Sequence, residues 1–438
     1  MLLRRAFLFV PAVLALLGAT QEKRKPNFVV FLSDDEGYGE LGCQGNKEIP
    51  TPHIDSIAQE GIRFTQGYVS GPYCSPTRAG LLTGRYQTRF GHEFNGQGAA
   101  FGLPVAETTV ADRLKALGYA TACVGKWHLG NSPPFRPPKR GFDEFYGTLA
   151  NTPFFHPQLV DTRVSPDPKK VEDPGFYTTD AYADRAVDWL ERNKDKAFFL
   201  YFPFNAQHAP LQAPKKYLDR FGSIADEKRR TFAAMMSAKD DAVGRVLAKI
   251  RELGQEENTL VWYFADNGGP TASTTSKNGP LRGFKATTLE GGVRVPFLAK
   301  WKGRLPVGKT YDAPVIQLDI LPTLIAAAGA EVKPEWKLDG VNLLPYLTGE
   351  KAERPHETLY WRFGEQWAIR HGDWKLVASR IDGKEPRLFH LAEDIGEATD
   401  LLAKSPEKGK ELRELWDKWN AEQAKPAWGP GVPPKKNP

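Results

Sequence analysis

An α/β fold is predicted for this chain of 438 residues. The expected form is a large doubly wound mixed sheet flanked by helices, with a small C-terminal antiparallel sheet plus helix packed against it. Three observations carry the prediction. Short continuous apolar runs, such as 27–32 and 260–265, read as strands buried on both faces. These runs alternate with helical segments over most of the length, the rhythm of a sheet covered on both sides. After about residue 350 the runs shorten, alternate in polarity and are separated by hairpin-type turns.

Taken in order, residues 1–20 read as a secretory signal: Arg4 and Arg5, the apolar run 6–17, then Gly18-Ala19-Thr20. The run is shorter than the roughly 20 apolar residues a bilayer span needs, and no later segment qualifies. No stable membrane insertion is expected, and the mature protein is assigned to the periplasm or the exterior. Strand 27–32 follows, then a helix over 51–60 with Thr51 as N-cap, Pro52 in its first turn and Gly61 closing it. Strand 62–69, helix 109–117, strand 120–125, helix 179–192, strand 198–204, helix 229–253 and strands 260–265 and 293–299 complete the large domain. Strands 358–363, 367–370, 374–378 and 387–391 and an amphipathic helix over 407–421 form the small one. The chain thus divides into a signal (1–20), a large domain (21–350), a C-terminal subdomain (351–425) and a tail (426–438) expected to be mobile.

Composition excludes several classes. With 41% apolar residues and a net charge of only +6, the bulk of the chain is not disordered. Charges of both signs are mixed throughout, which disfavours a nucleic-acid partner. The 41 glycines and 35 prolines point to long, shaped surface loops. Three cysteines, Cys43, Cys74 and Cys123, are too few for a disulfide scaffold. Cys123 sits in an apolar strand and reads as core. Cys74 lies in a turn flanked by proline and glycine and calls for a chemical explanation.

Catalytic groups in a doubly wound sheet gather at the carboxyl ends of strands. After strand 27–32 come Asp34 and Asp35; after strand 260–265 come Asp266 and Asn267. Three carboxylates and an amide, all oxygen donors, suit a hard cation, Ca²⁺ first and Mg²⁺ second. After strand 62–69 comes Gly71-Pro72-Tyr73-Cys74-Ser75-Pro76-Thr77-Arg78. Ser75 and Pro76 fit the N-cap and first turn of a helix, so Cys74 stands where backbone N–H groups favour an anion. Arg78 follows one turn later on the same side. Cysteine, cation and helix terminus together suit attack on an anionic ester. Lys126 and His128 follow strand 120–125 and share a face in extended backbone. His208 follows strand 198–204, and Lys285 ends a glycine-bearing loop beyond the acidic site.

These residues resemble the type I, formylglycine-dependent sulfatases of the alkaline phosphatase superfamily, over roughly residues 26–400. Cys74-Ser75-Pro76-Thr77-Arg78, running on to Gly84-Arg85, is similar to the signature in which the cysteine is oxidised to Cα-formylglycine; Thr77 stands where that pattern more often has Ser. Gly125-Lys126-Trp127-His128-Leu129-Gly130 is similar to the second signature. The resemblance implies Asp34, Asp35, Asp266, Asn267 and the modified Cys74 as metal ligands. It implies Arg78, Lys126, His128, His208 and Lys285 as the catalytic groups around the sulfate. It also implies a maturation partner, a formylglycine-generating or anaerobic sulfatase-maturing enzyme. A phosphomonoester or phosphonate ester hydrolase of the same superfamily is the alternative, disfavoured by 8 histidines without zinc-site clustering. The expected substrate is a sulfated polysaccharide or glycosaminoglycan fragment, with His92 and Arg282 as candidate sugar contacts and Glu93, Asn95, Asn278 and Arg362 beside them.

Overall fold

The computed structural model describes residues 24–96 and 98–432; the expected signal, 1–20, and the last residues of the tail, 433–438, lie outside the described residues. Ten strands form one mixed sheet, in the order Lys309–Tyr311, Ile62–Phe64, Phe297–Lys300, Thr259–Ala265, Asn27–Ser33, Phe198–Pro203, Ala120–Lys126, Glu144–Thr148, Gln158–Asp161 and Ser165–Lys170. The central members, from Thr259–Ala265 to Glu144–Thr148, are mutually parallel.

Alternate residues of these strands feed opposite cores. Phe28, Val30, Leu32, Trp262 and Phe264 pack on one face with Leu82 and Leu324, from helices Cys74–Thr83 and Ile320–Ala327. Val29, Phe31, Val261 and Tyr263 pack on the other with Trp189 and Phe232, from helices Thr178–Arg192 and Glu227–Glu252. Burial on both faces is why the strands read as unbroken apolar runs.

A second sheet, Thr358–Phe363, Gln366–His371, Trp374–Ala378 and Pro386–His390, is antiparallel in sequence order. Helix Pro406–Ala421 packs against it through Trp416 and Trp419, which join Trp361 and Trp367 in one core. The Trp367 and Trp416 rings lie 4.8 Å apart, and Trp419 stacks on Tyr360 at 4.9 Å.

Four expectations need correction. Residues 62–69 are not one strand: Ile62–Phe64 joins the large sheet, whereas Gly67–Tyr68 pairs with Val315–Ile316. Thr65 and Gln66 bond Asp312 at the break, and a Cβ on Gly67 would meet Phe297 at 2.3 Å. The expected strand 293–299 shrinks to Phe297–Lys300. Pro296 cannot donate to a ladder, and Glu290–Val293 forms a helical turn. Glu144–Thr148, Gln158–Asp161 and Ser165–Lys170 extend the sheet unexpectedly; the last is proline-bearing and exposed, as edge strands are. Finally, residues 426–432 are not a free end. The Trp428 ring lies 4.7 Å from His92 and 5.1 Å from Phe101, and its Nε1 donates to the Phe94 carbonyl at 2.7 Å.

Candidate active site

The carboxyl ends of the central strands converge on one place. Asn27–Ser33 delivers Asp34 and Asp35, Thr259–Ala265 delivers Asp266 and Asn267, and Ala120–Lys126 ends on Lys126 with His128 two residues on. Phe198–Pro203 leads to His208. Helix Cys74–Thr83 presents its first residue to the same point. One ligand atom each from Asp34, Asp35, Cys74 and Asp266 lies within 4.8 Å of the others, and all four residues are buried. Adjacent strand residues ordinarily face opposite ways. Here Asp35 adopts a φ of +60°, which ends the alternation and lets both aspartates serve one centre.

Cations hold these acids. Arg78 donates to Asp266 Oδ2 from Nε at 3.0 Å and from a terminal nitrogen at 2.8 Å, and to the Lys126 carbonyl at 2.6 Å. Lys126 Nζ is paired with Asp34 Oδ2. Lys285 Nζ bridges both oxygens of Asp35, at 2.6 and 2.8 Å, and stands 3.3 Å from Cys74 Sγ. His208 Nε2 lies 3.7 Å from Asp35 Oδ2, while its Nδ1 meets the Ala209 carbonyl at 2.6 Å. Burial alone would raise the Asp34 carboxyl, but Lys126, His208 and Arg78 together hold it well below the usual range. Burial, and then Asp34, push Asp266 up to about 7. Burial likewise pushes the Cys74 thiol up to about 12, with Lys285 and Lys126 pulling the other way. His128 is driven far below the usual imidazole value by burial and then by Lys126 and Arg78, so its ring is neutral.

The donor set fits a hard cation. Asp34 Oδ1 and Asn267 Oδ1 are buried and lack any hydrogen-bond partner. Asn267 Nδ2 donates to Asp35 Oδ1 at 2.8 Å and to the Gly268 carbonyl at 3.0 Å, which leaves its oxygen as the free donor. Orphaned buried oxygens beside three carboxylates are what a divalent ion satisfies.

Several expected residues serve the scaffold instead. Ser75 is not the N-cap: the helix begins at Cys74, with Tyr73 as N-cap and no capping side chain. Ser75 Oγ donates to the His128 carbonyl at 2.7 Å and lies 2.6 Å from His92 Nε2, tying the Cys74 helix to the His128 loop. His92, expected as a sugar contact, is fully buried, and burial pulls its pKa down to about 3. It is a neutral brace behind Ser75. Arg282, the other expected contact, donates to Asp382 at 2.5 and 3.0 Å and so joins the two sheets' loops. Arg362 is paired with Glu93 at 2.8 Å, and Asn278 holds the Gly269 backbone from both sides.

Two recesses open beside the cluster. One, of about 630 Å³, is lined by Asp35, Tyr73, His208, Phe284, Lys285 and Arg380 among others. The second, about 600 Å³, is lined by Tyr73, Asn95, Phe101, His128, Asn131 and Asn151 among others. A larger recess of about 910 Å³, beside Lys47, Arg220 and Asp226, holds none of the residues above. Tyr73, Asn131, Asn151, Phe284 and Arg380 were not anticipated. Tyr73 and Phe284 carried a signal, their places next to Cys74 and Lys285; the others come from loops whose approach is a tertiary fact.

Comparison with known proteins gives one answer. The family model described as Sulfatase matches residues 26–330, and that described as N-sulphoglucosamine sulphohydrolase, C-terminal, matches residues 284–425. The N-acetylgalactosamine-6-sulfatase of Sus scrofa is 32% identical over 458 residues, covering 91% of this chain and 86% of that protein. Arylsulfatase A of Homo sapiens is 34% identical over 465 residues, covering 92% and 89%. Among solved structures, Ps i-CgsB in complex with k-i-k-neocarrahexaose superposes with a TM-score of 0.85 at 34% identity, over 92% of this chain and 95% of that one.

Proposed function

The chain belongs to the sulfatase family and is a sulfate ester hydrolase, and on that premise we propose that it cleaves sulfated polysaccharide or glycosaminoglycan fragments through an aldehyde made from Cys74. The observation that carries this reading is the position of Cys74 Sγ, inside one buried cluster with three carboxylates and 3.3 Å from Lys285 Nζ. The sulfated-sugar assignment draws on the relatives, one named for N-acetylgalactosamine 6-sulfate and one solved with a neocarrahexaose. Nothing in the comparisons supports the phosphomonoester or phosphonate alternative.

Asp34, Asp35, Asp266, Asn267 and residue 74 would hold Ca²⁺, with Mg²⁺ as second choice. Such an ion would lower the pKa of a coordinated hydroxyl and offset charge on the ester. A hydrated aldehyde at position 74 would supply two hydroxyls, one to attack sulfur and one to expel sulfate afterwards. Arg78 holds Asp266 and the Lys126 carbonyl, and so fixes the acids around residue 74. Lys126 and Lys285 would place positive charge and N–H donors against the sulfate oxygens, joined by His208 when its imidazole is protonated. His208 or Lys285, both at the open side, would give a proton to the leaving alcohol oxygen. His128, neutral and with Nδ1 unpartnered, would accept the proton released as sulfate departs.

Maturation of Cys74 would require a formylglycine-generating or anaerobic sulfatase-maturing enzyme. Residues 1–20 would be removed on export to the periplasm or the exterior; among the described residues no helix is long and apolar enough to cross a membrane. The separate ten-stranded and four-stranded sheets support a division into 21–350 and 351–425. Turnover of 4-nitrophenyl sulfate against 4-nitrophenyl phosphate, before and after chelation, tests the reading. Sulfate should be the faster substrate, with activity lost to chelator and restored by Ca²⁺; faster phosphate turnover would overturn it.

A further inference from the structure

We propose that Arg380, laid over Phe284 at the rim of the active-site recess, recognises a second anionic group on the substrate, a sulfate or carboxylate next to the ester that is cleaved. This rests on the sulfatase reading and adds a charge requirement to it.

Arg380 lines the same recess as Asp35, His208 and Lys285, so one ligand in that recess can face both Lys285 and the guanidinium. The other cations around the site are already engaged: Arg78, Lys126 and Lys285 with the acids of the reacting centre, where the ester to be cleaved would bind, Arg282 with Asp382 and Arg362 with Glu93. Among the described residues Arg380 forms no ion pair, and its side chain is exposed. Its contact is with Phe284, whose ring centroid lies 5.6 Å from the guanidinium carbon. Phe284 is itself one of few large apolar side chains left open, 37% exposed. A cation–π contact at this distance leaves the guanidinium N–H groups, which bond no other side chain among the described residues, free for a bidentate acceptor. A planar fork held this way fits sulfate or carboxylate better than a lone ammonium does.

The arginine is also positioned from behind. Its backbone N–H donates to Gln366 Oε1 at 3.1 Å, and Gln366 Nε2 donates to the Ala286 carbonyl, next to Lys285, at 3.1 Å. One nearly buried amide therefore ties the turn bearing Arg380 to the loop bearing Lys285. Ser379 Oγ caps the same turn through Ile381 N–H at 3.4 Å. The opposite recess is lined by Asn95, Asn131 and Asn151, amides that suit hydroxyls rather than a charge. Of the two recesses, the one lined by Arg380 is therefore the one suited to an anion.

The test uses the mature, metal-loaded enzyme and 4-nitrophenyl sulfate as reporter, with competitive inhibition by mono- and disulfated disaccharides from chondroitin, heparin and carrageenan. The wild type should bind at least one disulfated member roughly ten- to hundredfold more tightly than its monosulfated counterpart, the range for hydrogen bonds to a charged group. The preference should shrink with added salt. Arg380→Gln should bring that ratio to within about threefold of unity, and Arg380→Lys should restore part of it, a point charge without the fork. A wild type with no disulfated preference, an Arg380→Gln enzyme that keeps it, or equal loss across all compounds and the reporter would each overturn the subsite. A wild type unable to hydrolyse 4-nitrophenyl sulfate would instead overturn the sulfatase reading beneath it.

Discussion

Lys239 and Glu36 meet beneath the strand end that carries Asp34 and Asp35, and neither side chain has any exposure. Lys239 Nζ contacts Glu36 Oε2 at 2.5 Å and Ser33 Oγ at 2.7 Å, and Tyr263 donates its hydroxyl to the same Glu36 oxygen at 2.5 Å. Burial pulls the Lys239 ammonium down and Glu36 pulls it back. Removing one member of such a pair costs about 3–5 kcal/mol, because the other charge is left buried and uncompensated. Lys239→Met should therefore destabilise by that order in a denaturant titration, and adding Glu36→Gln should recover most of the loss. Additive losses would contradict the pairing. At this scale the sequence shows residue types but hides partners. Asp34, Asp266, Lys126 and Cys74 were legible because each follows a strand or opens a helix at the carboxyl edge of a buried sheet. His92 and Arg282 were misread because what surrounds them, Trp428 and Asp382, lies far along the chain.

Among elements, the central strands were legible from their unbroken apolar runs, which reflect burial on both faces. The breaks were not. Residues 62–69 are apolar enough for one strand, yet Thr65 and Gln66 turn aside to Asp312, and that bend carries the chain towards Cys74. Ser165–Lys170 is a strand by pairing alone, with nothing apolar to announce it. The start of the tail is the element whose docking matters most to the site. Trp428 packs on His92, which in turn contacts Ser75 beside Cys74. Ending the chain at Lys425 should lower stability by about 1–3 kcal/mol, the scale of a partly buried aromatic ring, read as a lower thermal midpoint. An unchanged midpoint would show that the docking adds nothing.

For the molecule as a whole, the small sheet is fastened to the large one by buried charge as well as by tryptophans. Lys375, fully buried, reaches Glu290 at 2.8 Å and Glu397 at 2.9 Å. Burial pushes the Glu397 carboxyl from 4.5 up to about 7, against Lys375 and with Glu290. A carboxyl raised on folding keeps a proton that the unfolded chain has released. Its contribution to stability is therefore complete below about pH 4.5 and is lost as pH rises towards 7. Glu397→Gln should flatten the fall in stability across that window; an unaltered slope would contradict the assignment. The reading of the centre itself comes down to residue 74. The most direct measurement is the mass of the peptide bearing that residue, from protein of known activity on 4-nitrophenyl sulfate. An aldehyde at position 74 in proportion to activity is expected, with no activity from Cys74→Ala; full activity with an intact thiol would contradict that assignment.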